Sequence, residues 1–489
     1  MEELSKIEGI DTDMSKGTIT YNGKTYDVSE VIGSTNEQKA VEANGVKQIT
    51  IANANEEEKA LLENENVRMI IKEGDSTNEE ETIKAVIPKG FYYVTGKPST
   101  GLVISDKIGD DDNNSKGGNQ FVWVPCNGNS GVRYERTKDE STKFGLASQW
   151  EEDKNKQYYY NTPEKYTDWT DYGGAKDGDT IDSVDSVQKY GGFYVARFEA
   201  GVSENADFYA KESNDYAYAI DKNNTSLEPV SRKNNQCWNR INQKNAKVVS
   251  QNMYANSSVV SSQLIDSFAW DTTVSWLKTE VSNIGQDSTN YGNYTNSNSN
   301  IEIKNTLYSL HHYIEKKDPP TWITYETNKK YYKGNINLGR KQIDKAEKGK
   351  YQFYSSSTDY NFEEYNHYLW VELATGAYEA EVEENGTKKT VSSKVKNIYD
   401  MAGNMYEWTT EVGNHSTSDT MVAQDKVATA KYGVLRGGSF SGDGSGHPVS
   451  HRNGISETAW ANTYYRVPCR ALLKVVLSPE RLEQTNLRV

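Results

Sequence analysis

The alternation of short apolar segments with long polar stretches constrains the fold of this chain more than any other feature. From Ala85 onward, apolar runs such as 85–94, 121–125 and 191–201 are separated by loops rich in Gly, Asn and Asp. Loops of this length around few regular elements are typical only of functional loops or of a loop-rich fold. The 34 Tyr and 10 Trp supply apolar mass that disordered chains lack, so we expect a folded, loop-rich protein.

The first 84 residues have a different texture. Asn22-Gly23 favours a two-residue turn, which predicts a β-hairpin over 17–28. Residues 46–52 and 67–74 read as strands, and 55–66 reads as a short helix with acidic residues in its first turn. The polar, acidic stretch 74–82 has linker composition, which predicts a small N-terminal α+β domain with its linker over 1–84 and a large domain over 85–489. In the large domain, apolar spacing predicts a helix over 262–281.

Charge and cysteine content exclude several classes of partner. The net charge of -15 repels phosphate backbones and anionic lipid, so neither nucleic acid nor a membrane surface is an expected partner. The three cysteines, Cys126, Cys237 and Cys469, show no spacing typical of zinc or of a disulfide framework. No apolar run is long enough to span a membrane, and no signal peptide begins the sequence. We expect an intracellular protein, or one whose export or anchor segment lies outside this sequence.

Two motifs near the C-terminus identify a family resemblance. The segment NIYDMAGNMYEWTTE at 397–411 and the segment VLRGGSF at 434–440 resemble the signature of the formylglycine-generating-enzyme (sulfatase-modifying factor) family. Further segments resemble that family in the same order, so the resemblance covers about residues 85 to 475. It implies an α+β, loop-rich, modified C-type lectin fold with a small twisted antiparallel sheet, two helices and, in many relatives, bound calcium.

The motif residues themselves have a structural interpretation. Gly403-Asn404 suits a tight turn, and aromatic residues beside such a turn usually anchor a core. We therefore assign a structural role to the motif residues Asn404, Glu407, Trp408, Arg436, Gly437 and Gly438. Within this set, a buried bidentate bridge between Glu407 and Arg436 is a specific prediction.

The residues that perform the family's chemistry are missing. The resemblance implies a pair of copper-binding cysteines shortly after the Arg-Gly-Gly-Ser motif, but 439–468 contains no Cys, and a single Cys469 cannot form a thiolate pair. His447 and His451 have H-x-x-x-H spacing, although Asn453 replaces the acid of the related iron-binding motif. We expect the other histidines to be solvated loop residues, and nucleotide-binding and serine-nucleophile motifs are absent from the sequence. No catalytic residue is predicted.

Two acidic clusters are alternatives for structural calcium. Asp110, Asp111 and Asp112 form one, and Asp177, Asp179 and Asp182 form the other, but neither matches an EF-hand. Solvated loop charge is the favoured explanation of both clusters.

The stretch between the last motif and Cys469 has the composition of a binding surface. Small polar residues adapt hydrogen bonds, and rigid Tyr or Trp side chains supply contact area. The predicted ligand-binding residues are Ser441, Asp443, Ser445, His447, His451, Asn453, Ser456, Trp460, Asn462 and Tyr464.

The position of this stretch resembles that of the variable segment, here 439–468, in targets of diversity-generating retroelements. The sequence thus predicts a receptor or adhesin for a protein or carbohydrate ligand, displayed on a cell or virion surface by family analogy. An ordinary polar loop, and an enzyme of this superfamily with an unknown substrate, remain the alternatives.

Overall fold

A computed structural model of the chain describes residues 10–13, 18–21, 24–63, 66–74, 82–126, 132, 183–202, 228–238, 241, 243–327, 331–348, 361–413, 432–456 and 470–475. These residues form a mixed α+β protein, as the sequence predicted, and strands predominate in it. None of the helices among them is long and apolar enough to cross a membrane.

The N-terminal residues begin with a three-stranded antiparallel sheet. Its second and third strands, Thr18–Tyr21 and Lys24–Asp27, pair Tyr21 with Lys24, which confirms the predicted hairpin at Asn22-Gly23. The helix α2 also forms where it was predicted, because Asn55 and Glu58 make a reciprocal capping box at its first turn. The long helix α1 was not predicted. The elements are β1 (Ile10–Asp13), β2 (Thr18–Tyr21), β3 (Lys24–Asp27), α1 (Val28–Ala43), β4 (Lys47–Ile49), α2 (Glu56–Leu62), β5 (Val67–Glu73) and β6 (Ile83–Pro88).

The stretch 74–82 connects two paired strands. β5 and β6 are antiparallel neighbours, with Ile70 opposite Val86. Residues from both sides of the stretch, including Ile71 and Tyr194, belong to one hydrophobic core. The division into domains 1–84 and 85–489 stays a prediction, but the two sections share a sheet and a core.

The middle of the chain builds a six-stranded antiparallel sheet in the order β11-β22-β10-β9-β8-β7. Its elements and the helices beside it are β7 (Tyr92–Thr95), β8 (Val103–Ser105), β9 (Gln120–Pro125), α3 (Ser183–Tyr190), β10 (Gly192–Ala196), α4 (Gln243–Asn252), β11 (Val260–Leu264), α5 (Ser267–Leu277) and, from the end of the chain, β22 (Ala471–Val475). Strand β9 is buried along its full length, which explains its unbroken apolar sequence.

The helix predicted over 262–281 is shorter in the structure. Leu264 belongs to strand β11, where it pairs with Ala471, and helix α5 begins only after Asp266. The Asp266 side chain accepts a hydrogen bond from the Ala269 amide and so caps the helix. The apolar spacing continues across the strand and the helix because both are buried, so spacing alone did not locate the boundary.

A second large sheet has five strands, in the order β13-β12-β16-β15 with β14 also paired to β12. Its strands are β12 (Glu302–Lys317), β13 (Pro320–Thr327), β14 (Tyr332–Asn337), β15 (Arg340–Gln342) and β16 (Tyr365–Leu373), and the short helix α6 (Lys345–Lys348) follows β15. Leu310, Leu369 and Val371 cover a separate core on one face. The opposite face contains His311 and Trp370, which are cross-strand partners.

Two small sheets complete the fold. The hairpin of β17 (Glu379–Glu384) and β18 (Thr387–Ser392) is largely exposed. The three-stranded sheet consists of β19 (Glu407–Gly413), β20 (Tyr432–Arg436) and β21 (Arg452–Ser456). It contains parts of the two motifs, and β20 leads into the predicted binding stretch, within which β21 lies.

Candidate functional site

The segment between β20 and β21, residues 439–451, is here called the glycine loop. Its main chain is fixed to the protein core at several points. Gly442 accepts a hydrogen bond from the Thr295 amide at 2.9 Å, and Gly444 accepts one from the Ser288 amide at 2.9 Å. Further along, the Tyr294 hydroxyl and the Trp270 indole donate to the carbonyls of His447 and Val449 at 3.0 Å each. The loop is therefore a defined structure, although it contains no helix or strand.

Glycines allow the loop to lie this close to the core. A Cβ atom at Gly444 would come within 2.4 Å of the Thr289 main chain, and one at Gly438 within 2.1 Å of the His447 carbonyl oxygen. Gly438 also has a φ of 75°, which side chains rarely adopt. Gly442, Gly444 and Gly446 alternate with the three polar residues of the loop tip, so they set its path without covering it.

The three polar residues of the tip lie at the surface. Ser441 is exposed, and Asp443 and Ser445 are partly exposed. Asp443 also stabilises the loop, because its carboxylate accepts hydrogen bonds from the Ser445 hydroxyl and the Gly446 amide. These are three of the ten predicted ligand-binding residues.

The two histidines of the predicted site lie behind the loop. His447 is 8% exposed and His451 is fully buried. Their rings meet edge to face at 4.8 Å, and each lies about 6 Å from the Tyr406 ring. Because Gly446 and Pro448 prevent a helix here, the H-x-x-x-H spacing produces a packed pair of rings instead of a surface.

The remaining predicted ligand-binding residues lie at the edge of the described structure or beyond it. Asn453 and Ser456 belong to strand β21. Trp460, Asn462 and Tyr464 lie outside the described residues, as does Cys469. Their roles stay predictions.

The predicted bridge between Glu407 and Arg436 is wrong. The two residues are cross-strand neighbours in β19 and β20, as the motif suggested. However, the Arg436 guanidinium pairs with Asp271 of helix α5 at 2.6 Å, and Asp271 also binds Arg452. All three residues of this cluster are buried, so it joins the two ends of the glycine loop to helix α5.

Glu407 pairs with Arg470 instead, in a buried ion pair with the guanidinium Nη2 atom 2.6 Å from Oε1. Arg470 also donates to the carbonyls of Ala196 and Tyr399. It therefore connects the central sheet, the motif and strand β19 through one side chain. Trp408, which follows Glu407 in the chain, is buried, and its indole nitrogen donates a hydrogen bond to the Ile241 carbonyl at 2.7 Å.

A second buried network surrounds Asn404. Its amide nitrogen donates to Glu199 at 2.8 Å, and its oxygen accepts from the Leu373 amide at 2.9 Å. Burial, together with Asp400 and Glu407, raises the pKa of Glu199 well above its ordinary value. The Cys237 thiol lies 3.3 Å from the Glu199 carboxyl. These surroundings favour the neutral form of the Glu199 carboxyl, which has a structural role through its contacts with Asn404 and Met405.

Neither described cysteine has the properties of a reactive thiol. Burial raises the pKa of Cys126, and burial together with Glu199 raises that of Cys237. The two belong to different hydrophobic clusters, so they do not form a pair. Thiolates are the form that binds copper and attacks substrates, and these positions disfavour it.

The expectation that the other histidines are solvated is wrong for His311, His312 and His367, which are buried in the five-stranded sheet. His311 Nε2 lies 2.9 Å from a Glu372 carboxylate oxygen, and Tyr331 donates to the other oxygen of Glu372. On the opposite face, His312 Nε2 lies 2.9 Å from His367 Nδ1. His415 lies outside the described residues.

Metal sites are not formed by the described part of the chain: no group of three or more His, Cys, Asp or Glu side chains there could hold an ion. Asp110 accepts hydrogen bonds from Ser105, Asn114 and Gln120, and Asp112 pairs with Arg197 at 2.5 Å. These acids organise their own loop. Asp177, Asp179 and Asp182, the predicted calcium ligands, lie outside the described residues.

Comparison with known proteins supports the resemblance over part of the chain. Residues 316–464 match the family model of the sulfatase-modifying factor enzyme 1-like domain. The matched range includes both motifs, with Asn404 and Arg436, and the glycine loop, whereas the buried partners Glu199 and Asp271 lie before it. The match begins later than the resemblance, which starts near residue 85. No curated protein and no solved structure matches the chain.

Several residues that support the site were not predicted from the sequence. Glu199, Asp271 and Arg470 each hold a motif residue in place from a distant part of the sequence. A weak signal existed for Glu199 and Asp271, since both are isolated acids in apolar segments, and such acids are buried only when they have partners. Their partners could not be chosen from the sequence.

Proposed function

We propose that the chain is a ligand-binding protein, a receptor or adhesin, whose sulfatase-modifying-factor-like domain presents a C-terminal binding surface and performs no catalysis. The observation behind this proposal is the glycine loop, in which a fixed main chain presents Ser441, Asp443 and Ser445 to solvent. A surface that is already ordered loses little conformational entropy on binding. We place the missing part of the surface in the stretch that follows, with Trp460 and Tyr464 as its aromatic anchors.

The proposal extends to features that the family resemblance implies. We infer a modified C-type lectin fold for the large domain, diversification of 439–468 by a retroelement, and display on a cell or virion surface. Structural calcium at Asp177, Asp179 and Asp182 is part of the same proposal, as is a protein or carbohydrate ligand.

A binding assay tests the role of the loop tip. The full chain is applied to arrays of glycans and of purified surface proteins, next to a triple variant with Ser441→Ala, Asp443→Ala and Ser445→Ala. We expect specific retention by the unchanged chain and its loss in the variant. A matched control replaces Glu381, Lys388 and Lys389 by Ala on the exposed β17–β18 hairpin, where no effect is expected. Equal retention by both variants would contradict a binding role for the loop.

Sequencing tests the proposed diversification. The coding region for 436–470 is compared across sibling isolates, and the same locus is searched for a near-copy of this region. We expect differences confined to adenine positions of the copy, with the codons for 379–392 unchanged. Identical sequences without a copy would remove this part of the proposal.

The enzyme alternative has a direct test. The chain is incubated with copper(I) and a cysteine-containing peptide, and the peptide is examined by mass spectrometry for conversion of Cys to formylglycine. We expect no conversion, because burial disfavours the thiolate form of Cys126 and Cys237 and the two residues lie in different clusters. Any formylglycine product would overturn the binding proposal.

A further inference from the structure

A second loop lies against the glycine loop and is here called the asparagine loop, residues 285–300. It begins shortly after helix α5 and contains the 3-10 turn Thr289–Tyr291. All of its residues except Gln286 and Asp287 are Asn, Ser, Thr, Gly or Tyr. Asn, Ser, Gly and Tyr are enriched in antibody binding loops, where rigid Tyr supplies contact area and the small polar residues adapt their hydrogen bonds. The asparagine loop therefore has the composition of a binding loop.

The asparagine loop holds the main chain of the glycine loop. The Asn296 side-chain oxygen accepts a hydrogen bond from the Gly444 amide at 3.1 Å, and the Thr295 hydroxyl donates one to the Gly442 carbonyl at 2.9 Å. The Ser288 amide donates to the Gly444 carbonyl at 2.9 Å. Gly444 is thus bonded to the asparagine loop through both its amide and its carbonyl. The two loops form one structure.

Asn296 is the side chain that fixes the middle of the tip. Gly444 lies between Asp443 and Ser445, so the orientation of its peptide groups directs both of these side chains. A main-chain amide can only donate, so the Asn296 atom that faces Gly444 is the oxygen. The Asn296 nitrogen then donates to the Thr289 hydroxyl oxygen at 3.2 Å. Both ends of the Asn296 carboxamide are therefore used to hold the tip.

Exposed side chains of the asparagine loop extend the surface of the tip. Gln286, Asp287 and Asn290 are exposed, and they flank Ser288 in the chain. Neither 285–300 nor the glycine loop contains a lysine or an arginine, whereas Asp287 is exposed and Asp443 is partly exposed. The net charge of -15 has the same sign as these two side chains. The combined surface therefore presents hydrogen-bond acceptors and negative charge.

We propose that the asparagine loop is the constant half of the binding surface, that Asn296 positions the glycine-loop tip, and that the partner is a protein with basic side chains on its contacting patch. This inference rests on the proposed function, since it takes the glycine loop as the ligand-binding segment. The asparagine loop lies outside 439–468, the stretch proposed to vary. Its half of the surface is therefore the same whatever the tip carries.

The chemistry of the surface favours a basic protein over other partners. Carboxylate and amide oxygens accept hydrogen bonds from ammonium and guanidinium groups, and a charged donor strengthens such bonds. An acidic partner would be repelled by Asp287, Asp443 and the net charge. Pockets for small ligands are typically concave and mostly apolar, unlike these two polar loops. Small polar side chains on an ordered main chain are typical of surfaces that bind proteins.

Hydrogen exchange tests the positioning role without a ligand. Exchange of the full chain is followed by mass spectrometry and resolved to the Gly444 amide. We expect this amide to exchange about tenfold faster in Asn296→Ala, because it loses its acceptor. Asn296→Asp keeps an acceptor oxygen and should restore most of the protection. Asn290→Ala, on the same loop, should leave the Gly444 exchange unchanged, and strand β9 should exchange equally in all four proteins.

The array of glycans and purified surface proteins tests the partner class. We expect basic proteins to be retained, and Asn290→Ala combined with Asp287→Asn to raise their dissociation constants about tenfold. Asp287→Asn keeps the acceptor of the Thr289 amide and removes only the charge, so its effect should be larger at low ionic strength. Glu56→Gln removes the same charge from a side chain of α2 that is 92% exposed, and it should change nothing.

Each part of the inference can fail separately. Equal Gly444 exchange in Asn296→Ala and the unchanged protein would overturn the positioning role. Retention of glycans alone, or of acidic proteins, would overturn the partner class. Binding that is lost in the Ser441, Asp443 and Ser445 triple variant but kept in the asparagine-loop variants would overturn the constant half while the proposed function stands. Retention of nothing would overturn the proposed function together with this binding surface.

Discussion

Asp271 should be among the residues on which the stability of the site region depends most. It is a single buried carboxylate that pairs with two buried guanidiniums, those of Arg436 and Arg452. The substitution Asp271→Asn keeps the shape of the side chain but removes its charge. Both buried arginines would then lose the carboxylate that they share, while the main-chain carbonyl of His451 would still accept from Arg436.

The magnitude follows from the cost of leaving a buried charge unpaired. Breaking a buried ion pair by removing one partner typically costs about 3–5 kcal/mol. Here one substitution removes the carboxylate that two buried cations share, so we expect a loss of unfolding free energy at the upper end of that range. A second substitution provides an internal check. Adding Arg452→Gln to Asp271→Asn removes one of the two buried cations that lost this carboxylate and should recover part of the loss.

Equilibrium unfolding in urea, followed by tryptophan fluorescence, measures these differences. The matched control is Glu381→Gln, since Glu381 also faces a cation, Lys388, at 3.6 Å, but both side chains are more than 70% exposed. An exposed pair of this kind contributes at most about 1 kcal/mol. If Asp271→Asn costs no more than the control, or if the double variant is no more stable than Asp271→Asn, the reasoning about the buried cluster is refuted.

Three further predictions address other parts of the molecule. Because the pKa of Glu199 is raised in the folded state above its ordinary 4.5, the unfolding free energy should fall as pH rises above about 4.5. Urea titrations at pH 5 and pH 7 should show a smaller fall of the unfolding free energy in Glu199→Gln than in the unchanged protein. An equal fall in both proteins would contradict a raised pKa for Glu199. In a Cys469→Ser variant, iodoacetamide at pH 8 should leave Cys126 and Cys237 unmodified in the native protein and should label both in urea. Rapid labelling of the native protein would contradict the inaccessibility of these two thiols. Glu37→Ala removes the carboxylate oxygen that accepts a hydrogen bond from the Tyr93 amide at 2.6 Å. The substitution should lower the urea midpoint of a single unfolding transition that the N-terminal and C-terminal sections share. Two separate transitions would favour independent N-terminal and C-terminal domains.

The sequence predicted the elements whose information is local. Asn22-Gly23 specifies a hairpin turn, and Asn55 with Glu58 specifies a helix start, because in each case the interacting groups are at most three residues apart. Helix α1 was missed because it contains Gly33 and several Ser, Thr and Asn residues, all of which are poor helix formers. Its formation reflects packing against the rest of the protein, including the contact of Glu37 with Tyr93.

The sequence motifs indicated the segment that forms the glycine loop, but they did not indicate the ion pairs at its two ends. The sequence indicated Glu407 as the ion-pair partner of Arg436. In the structure the partner is Asp271, which lies in a helix 165 residues earlier in the chain. A second arginine, Arg452, also pairs with Asp271, and no local sequence pattern predicts that two arginines share this carboxylate. The buried histidines were misjudged for the same reason, since His312 and His367 meet only after strands β12 and β16 align.

The attachments of the glycine loop bear on the proposed variation of its tip. The loop is attached to the core through main-chain atoms, such as the carbonyls of Gly442 and Gly444, which are present whatever the neighbouring side chains are. Replacing Ser441 or Ser445 therefore removes none of these attachments. Asp443 differs, because its carboxylate bonds to the Gly446 amide, and its loss should loosen the loop itself. We therefore expect variation at the tip to be compatible with the fold at Ser441 and Ser445 and to be restricted at Asp443.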